Sequence, residues 1–132
     1  MKYVPNIVAG LLGFAFIAFS VMFLFKLVPD QPQPPAGSPI ALFMGAFIPT
    51  GYMHFVKVFE LLGGFMVAIP RTRNIGLLFL GPVILNIIAF HVFVAKDALS
   101  DVSLPIIGLM ALYLLWVERK AFAGLVTRNP IP

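Results

Sequence analysis

An apolar run at the start of the chain limits what the rest can fold into. From Val4 to Val28 the sequence carries one charged side chain, Lys26, and is otherwise dominated by aliphatic residues and phenylalanine. About 20 consecutive apolar residues cross the hydrocarbon core of a bilayer, which is roughly 30 Å thick. The run is too long for the core of a secretory signal, and no small-residue cleavage site follows it. We therefore predict a retained membrane span over about residues 5–28.

Composition extends this prediction to the whole chain. Of its 132 residues, 61% are hydrophobic and 11% are charged, whereas soluble domains carry roughly 25% charged residues. Residues 1–132 are predicted to form a single transmembrane domain. The basic residues are scattered, which argues against nucleic acid as a partner. The chain has no cysteine, which excludes dithiol exchange, iron–sulfur clusters and thiolate ligation of a metal or haem on this chain.

Proline and turn residues divide the remaining sequence. Residues 29–39 hold five prolines and are predicted to form an outer loop. Residues 40–48 are apolar but too short to cross, so we predict an interfacial helix there, with Thr50 as the N-cap of the next span. The predicted spans are about 5–28, 50–69, 75–95 and 104–119. The expected fold is all-α: an integral membrane four-helix bundle with a short interfacial helix between the first and second spans.

The distribution of positive charge predicts orientation. Cytoplasmic loops of membrane proteins carry an excess of lysine and arginine. With the N-terminus inside, the outer segments hold only Lys26 and Lys96, beside aspartates. The inner segments hold Lys2, Arg71, Arg73, Arg119, Lys120 and Arg128. We expect a multi-pass protein of the bacterial inner membrane with both termini in the cytoplasm.

Three ionisable residues interrupt the second span in the stretch HFVKVFELLGG: His54, Lys57 and Glu60. At about 1.5 Å per residue, Glu60 and Asn86 lie roughly 14 Å and 16 Å from the cytoplasmic ends of their spans, so they are level. Lys57 and Glu60 are three residues apart, which predicts a charge pair. His54 and His91 lie nearer the outer side. The pattern predicts a polar seam between two antiparallel helices.

Two interpretations of this seam are open. In the structural one, the polar groups form hydrogen bonds that fix helix register. In the functional one, Glu60 is an acceptor or proton-binding group, Lys57 keeps it ionised and Asn86 orients it. Interhelical polar contacts contribute about 0.6 kcal/mol on average, whereas a charged side chain at mid-bilayer costs about 2.5 to 3.5 kcal/mol on insertion scales. Because the cost of inserting a charge exceeds what such contacts contribute, a ligand or proton site is favoured over a purely structural role.

The other candidate residues have more ordinary explanations. His54 and His91 are close enough to the outer interface for structural roles. No metal site is predicted, because His54 and Glu60 point about 120° apart on an ideal helix. Gly63 and Gly64 permit close helix approach, or contact between backbone and a flat ligand. The abundant phenylalanines suit lipid contact and packing, or a cleft for a quinone or acyl chain.

Taken together, three segments resemble the DoxX-like family of small bacterial membrane proteins: TGYMHFVKVFELLGGFMVAIPRT, GPVILNIIAFHVFVA and LMALYLLWVERKAF. The resemblance implies a four-helix protein of the inner membrane. It also implies that Glu60, Gly64, Asn86 and His91 are recurrent family positions. Members of that family are linked to quinone-dependent sulfur oxidation, to membrane complexes that handle oxidative stress, and to cargo or assembly roles.

The leading hypothesis is an accessory subunit of a redox-linked membrane complex, whose seam binds a quinone or another lipid-like ligand. One alternative is a quinone-reducing component that receives electrons from a partner chain. A small proton-coupled transporter that acts as a homodimer and a pure assembly factor are two more. No nucleotide-binding, nucleophile-elbow or metalloprotease motif is present, so the isolated chain is not expected to be an enzyme.

Overall fold

The computed structural model describes residues 2–97, 100 and 102–126, and every regular element in those ranges is helical. The all-α prediction is confirmed. The α-helices are α1 (Val4–Leu24), α2 (Pro39–Phe47), α3 (Tyr52–Ala68), α4 (Arg73–Ala89), α5 (Ser103–Val117) and α6 (Arg119–Val126). A short 3₁₀ helix, Pro70–Thr72, precedes α4, and a π-helical segment, Phe90–Ala95, continues it.

The first helix ends four residues earlier than predicted, at Leu24 instead of residue 28. Lys26 adopts a left-handed conformation with φ of 55°. Its N–H donates to the carbonyl of Phe23 at 3.2 Å, and the N–H of Leu27 donates to that of Met22 at 2.8 Å. These two bonds form a Schellman motif, which satisfies carbonyls at a helix end. Glycine usually occupies the left-handed position, so lysine gave no sequence signal for the stop.

The predicted interfacial segment 40–48 is a helix, α2, shifted by one residue. Pro39 occupies its first turn, where the missing N–H costs nothing, and the Ser38 hydroxyl accepts the N–H of Ala41 at 3.3 Å. The N-cap prediction for Thr50 is wrong. Its hydroxyl donates to the Ala46 carbonyl at 2.6 Å and so closes α2.

Gly51, with φ of 82°, precedes α3 instead. Such a left-handed conformation is accessible to glycine without steric cost. It allows the chain to turn by 80° between α2 and α3. The predicted second span, 50–69, is therefore helical as α3 over Tyr52–Ala68, slightly shorter at both ends.

Two side chains close the C-terminal end of α3. The Thr72 hydroxyl donates to the Met66 carbonyl at 2.9 Å, and Arg73 Nε donates to the Val67 carbonyl at 3.1 Å. Arg73 is one of the basic residues that the sequence analysis placed on the inner side, and the residue is only 5% exposed. It therefore acts as a buried capping group, and α4 begins at Arg73 rather than at residue 75.

The central helix is α3, which packs most extensively against α1 and α4. α5 packs more lightly against α1 and α4, and ends at Val117 rather than residue 119 because Glu118 interrupts the helix before α6. The core is a single apolar cluster between these helices. Its fully buried side chains include Leu12, Val67, Leu80 and Leu114.

Two helical stretches among the described residues are long and apolar enough to cross a membrane: Val4–Leu24 and Pro70–Ala95. α2 and α3 are long and apolar enough only when they are taken together as one bent segment. α5 is apolar but shorter than the length needed. In the 18-residue apolar part of each stretch, only 28% of the residues of the first and 17% of those of the second are buried. Most of their hydrophobic side chains therefore face outward.

Candidate functional site

The charge pair predicted on α3 is present. Lys57 Nζ lies 3.1 Å from Glu60 Oε2, as expected for residues one turn apart. The Glu60 side chain is 4% exposed and that of Lys57 is 20% exposed. A carboxylate buried this deeply needs a close positive partner. Lys57 supplies this positive charge from the same helix, so the ion pair requires no residue of another helix.

A fully buried hydroxyl lies on α1, one turn from the residue of that helix that contacts Lys57. The Phe23 ring centroid is 5.7 Å from Lys57 Nζ, and Ser20 lies one turn before Phe23 on α1. Ser20 is 0% exposed, and its Oγ has no hydrogen-bond partner among the described residues. The sequence analysis did not select Ser20, because its level relative to Lys57 depends on how α1 pairs with α3.

A large cleft opens in front of the ion pair. We call it the front cleft; its volume is about 730 Å³, and α2, α3, α4 and the π-helical segment form its walls. Its polar residues are Tyr52, Lys57, Glu60, Asn86 and His91. The rest of the lining is aromatic or aliphatic, including Phe43, Phe47, Phe55, Phe59, Phe90 and Phe93.

Aromatic contacts fix the cleft walls. Phe43 of α2 lies 4.8 Å from Phe90 between ring centroids, which joins α2 to the π-helical segment. Phe59 of α3 stacks on Phe79 of α4 at 4.5 Å. Ring pairs at these separations are stabilising. These contacts join α2 to the π-helical segment and α3 to α4, which are the elements that form the cleft walls.

A second, smaller cavity lies behind the pair. We call it the rear cavity; its volume is about 290 Å³, and α1, α3, α4, the π-helical segment and α5 form its walls. It shares Lys57, Glu60, Ile87 and His91 with the front cleft. The ion pair therefore stands between two compartments. The sequence analysis missed the contribution of α5, since no polar pattern marks the face of that helix.

Asn86 lines the front cleft, but its amide has a local partner. Nδ2 donates to the Pro82 carbonyl at 2.8 Å, one turn back along α4. Asn86 and Glu60, which were predicted to lie at the same depth, thus line the same cleft. The amide of Asn86, however, donates to a carbonyl of α4. The predicted role of Asn86 in orienting Glu60 is not realised by this bond.

The two histidines lie in different surroundings. His91 lines both compartments, and its Nδ1 lies 2.6 Å from Asp97 Oδ1. Asp97 was assigned only to an outer loop in the sequence analysis; the π-helical segment and the left-handed Lys96 return it to His91. His54 is exposed and contacts Phe23 edge-on at 5.4 Å between ring centroids, and it lines neither compartment.

Gly63 and Gly64 lie where α3 approaches two different helices, α4 and α1 respectively. A Cβ on Gly64 would stand 2.9 Å from the Gly13 carbonyl oxygen of α1. A Cβ on Gly63 would stand 2.7 Å from Leu80 Cδ2 of α4. Neither glycine lines the front cleft or the rear cavity. Their position favours close helix approach over backbone contact with a ligand.

A metal site would need several histidine, cysteine, aspartate or glutamate side chains close together within residues 2–97, 100 and 102–126. Within these ranges no group of three or more histidine, cysteine, aspartate or glutamate side chains could hold a metal ion. The polar residues of the front cleft include groups that can form hydrogen bonds and carry charge. Lys57 can donate to an acceptor, and Glu60 can accept from a donor or carry a proton.

Comparison with known proteins gives one informative similarity. The chain is 28% identical over 138 residues to the uncharacterized protein YwoB of Bacillus subtilis (strain 168), covering 98% of this chain and 86% of that protein. No family model matches the chain. No solved structure matches it either.

Proposed function

We propose that this protein is an accessory subunit of a redox-linked complex in the bacterial inner membrane, and that its front cleft binds a quinone or a similar lipid-like molecule. The proposal includes a DoxX-like four-helix bundle, in which α1, α3, α4 with its π-helical extension, and α5 cross the bilayer. α2 would lie at the outer interface. The absence of cysteine means that electrons would enter from other chains or cofactors.

The outward-facing apolar surface supports a membrane location. Exposed large side chains such as Phe14, Leu85 and Leu109, each at least 67% exposed, lie on α1, α4 and α5. In water such a surface would drive aggregation, whereas lipid chains solvate it. Charges are sparse on these three helices, which agrees with the cost of placing them against lipid.

The observation that carries the proposal is the position of the Lys57–Glu60 pair. It sits at the wall of an aromatic cleft of about 730 Å³, within the range of roughly 300–1,000 Å³ typical of ligand sites. Ionisable residues inside a membrane usually mark a ligand or ion pathway. A pair serving only to fix helix register would gain nothing from an adjoining cleft.

The cleft also has the chemistry that a quinone requires. Lys57 is placed to donate to a carbonyl oxygen, and the phenylalanines around Phe59 and Phe90 suit an isoprenoid or acyl chain. A bound quinone would supply redox chemistry, while this chain would hold and orient it. The same groups suit a fatty acyl molecule with a polar head, so the bound molecule must be identified directly.

Replacing Glu60 with glutamine tests the site. Glu60→Gln keeps the size of the side chain but removes its charge, and we expect the amount of copurifying lipid-like molecule to fall at least tenfold, about 1.4 kcal/mol in affinity. Extraction and mass spectrometry of bound molecules measure this. Glu118→Gln is the matched control, because Glu118 lies between α5 and α6, outside both compartments. Equal occupancy in Glu60→Gln and wild-type protein would refute the site.

Topology is tested by single cysteines, which the native sequence does not contain. We expect a membrane-impermeant maleimide to label Gln33→Cys in intact cells, because residue 33 lies in the predicted outer loop. Lys120→Cys on α6 should be labelled only after permeabilisation. Labelling of both sites in intact cells, or the reverse pattern, would rule out the proposed orientation.

A further inference from the structure

The charged side chains around the front cleft are already paired. Among the described residues that line it, the lysine and the carboxylate are Lys57 and Glu60, which bind each other at 3.1 Å. The lining also contains His91, whose Nδ1 lies 2.6 Å from Asp97 Oδ1. The rear cavity shares Lys57, Glu60 and His91 and adds no further charged residue to them. The described lining therefore leaves no spare counter-charge for a charged molecule in the cleft.

We propose that the Lys57–Glu60 pair makes the front cleft selective for lipid-like molecules whose polar head carries no charge. This inference rests on the proposed function and narrows the class of ligand. Quinones and long-chain alcohols belong to this class. Ionised fatty acids and phospholipids do not, because their heads carry formal charges.

An anionic head would weaken the ion pair. It would have to share Lys57 with Glu60, which places two negative groups beside one ammonium. The Glu60 side chain is 4% exposed, so water cannot replace the part of the interaction that is lost. A buried carboxylate without a full positive partner is costly. The attraction of the anion to Lys57 is consequently offset by the loss at Glu60.

A cationic head meets the corresponding difficulty at Glu60. It would compete with Lys57 for the same carboxylate, and the ammonium of Lys57 would then lack its partner. The Lys57 side chain is 20% exposed, so water solvates it only in part. Either sign of charge on the head therefore disturbs an interaction that is complete without it.

An uncharged head can use atoms that the ion pair leaves free. A lysine ammonium has three N–H donors, and one of them is directed to Glu60 Oε2. Glu60 Oε1 and Asn86 Oδ1 have no hydrogen-bond partner among the described residues, so both can accept from a hydroxyl. Tyr52 adds a hydroxyl to the same lining. A carbonyl or hydroxyl head can thus bind while Lys57 and Glu60 remain paired.

Competition among three amphiphiles of equal chain length tests the selectivity. Tritiated hexadecanol is bound to the delipidated full chain in dodecyl maltoside at neutral pH. It is then displaced by unlabelled hexadecanol, by anionic hexadecyl sulfate or by cationic hexadecylamine, each expressed per mole of detergent. We expect the two charged competitors to need at least tenfold more for half-displacement than hexadecanol. A charged competitor as effective as hexadecanol would overturn the selectivity.

Removing the negative member of the pair should change the preference. Glu60→Gln leaves Lys57 without an anionic partner, so we expect radiolabelled hexadecyl sulfate to bind this variant at least tenfold more tightly than it binds wild-type protein. Glu118→Gln, which removes a carboxylate outside both compartments, should bind it as the wild type does. Equal affinity of Glu60→Gln and wild-type protein for hexadecyl sulfate would contradict the role of the pair.

The possible failures are distinguishable. If wild-type protein binds none of the three amphiphiles, the proposed function and this inference both fail. If it binds hexadecanol and hexadecyl sulfate equally well, the front cleft is a lipid site and only the selectivity is wrong. Because the competition uses wild-type protein, its result stands whether or not Glu60→Gln folds.

Discussion

Replacing Lys57 with methionine is expected to lower the free energy of unfolding by about 3 kcal/mol, the lower end of the range for breaking a buried ion pair. Methionine preserves the length and apolar stem of lysine but leaves the Glu60 carboxylate, 4% exposed, without its partner at 3.1 Å. The lower value is expected because Lys57 itself is 20% exposed beside the front cleft. Detergent unfolding followed by Trp116 fluorescence measures the change.

Two further variants isolate the pair. Lys57→Met combined with Glu60→Gln removes both charges and should recover most of the lost stability, since the penalty comes from an unpaired buried charge. Lys120→Met, at an exposed position on α6, controls for the loss of a lysine and should change stability by less than about 0.5 kcal/mol. A double variant no more stable than Lys57→Met would show that the unpaired charge is not the cause.

Gly13→Ala is expected to cost about 1 to 3 kcal/mol, the usual range for overpacking a tight contact. A Cβ on Gly13 would stand 2.5 Å from the Gly64 carbonyl oxygen and 3.0 Å from the Ala68 Cβ. Because the first of these atoms is backbone, α1 and α3 must move apart. Their contact is the most extensive between helices in the described chain. The thermal midpoint in detergent, followed by circular dichroism, should fall.

Gly10→Ala is the matched control for this change. Gly10 lies one turn before Gly13 on α1, and a Cβ there meets no atom within 4 Å. Since alanine favours a helix by up to about 1 kcal/mol over glycine, the midpoint should stay constant or rise. Equal midpoints for Gly13→Ala and Gly10→Ala would mean that α1 and α3 do not cross at Gly13.

Much of the helical arrangement follows from apolar patterning and proline. The positions of α1, α3, α4 and α5, and the short helix after the proline-rich loop, were predictable because each is a distinct apolar segment. Helix ends were less predictable. Lys26 takes a left-handed conformation that its side chain does not favour, and Thr50 closes the helix before it rather than the one after it. Both depend on how neighbouring segments turn.

The site was partly predictable for the same physical reasons. Lys57 and Glu60 pair within one helix turn, so sequence spacing alone locates them. Asp97 meets His91 through a π-helical segment at the end of α4 and the left-handed Lys96 that follows it. Ser20 and the rear cavity result from packing between helices distant in sequence. One sequence contains no direct signal for such packing.

Native mass spectrometry of the protein, extracted gently from its own membranes, tests the central claim most directly. The account predicts a mass equal to the chain plus one discrete lipid-like molecule, with that increment absent from Glu60→Gln and retained in Glu118→Gln. Fragmentation of the increment should identify the lipid-like molecule. A bare chain or bare homodimer in the wild-type spectrum would contradict the claim, and the Lys57–Glu60 pair would then be a structural feature of the bundle.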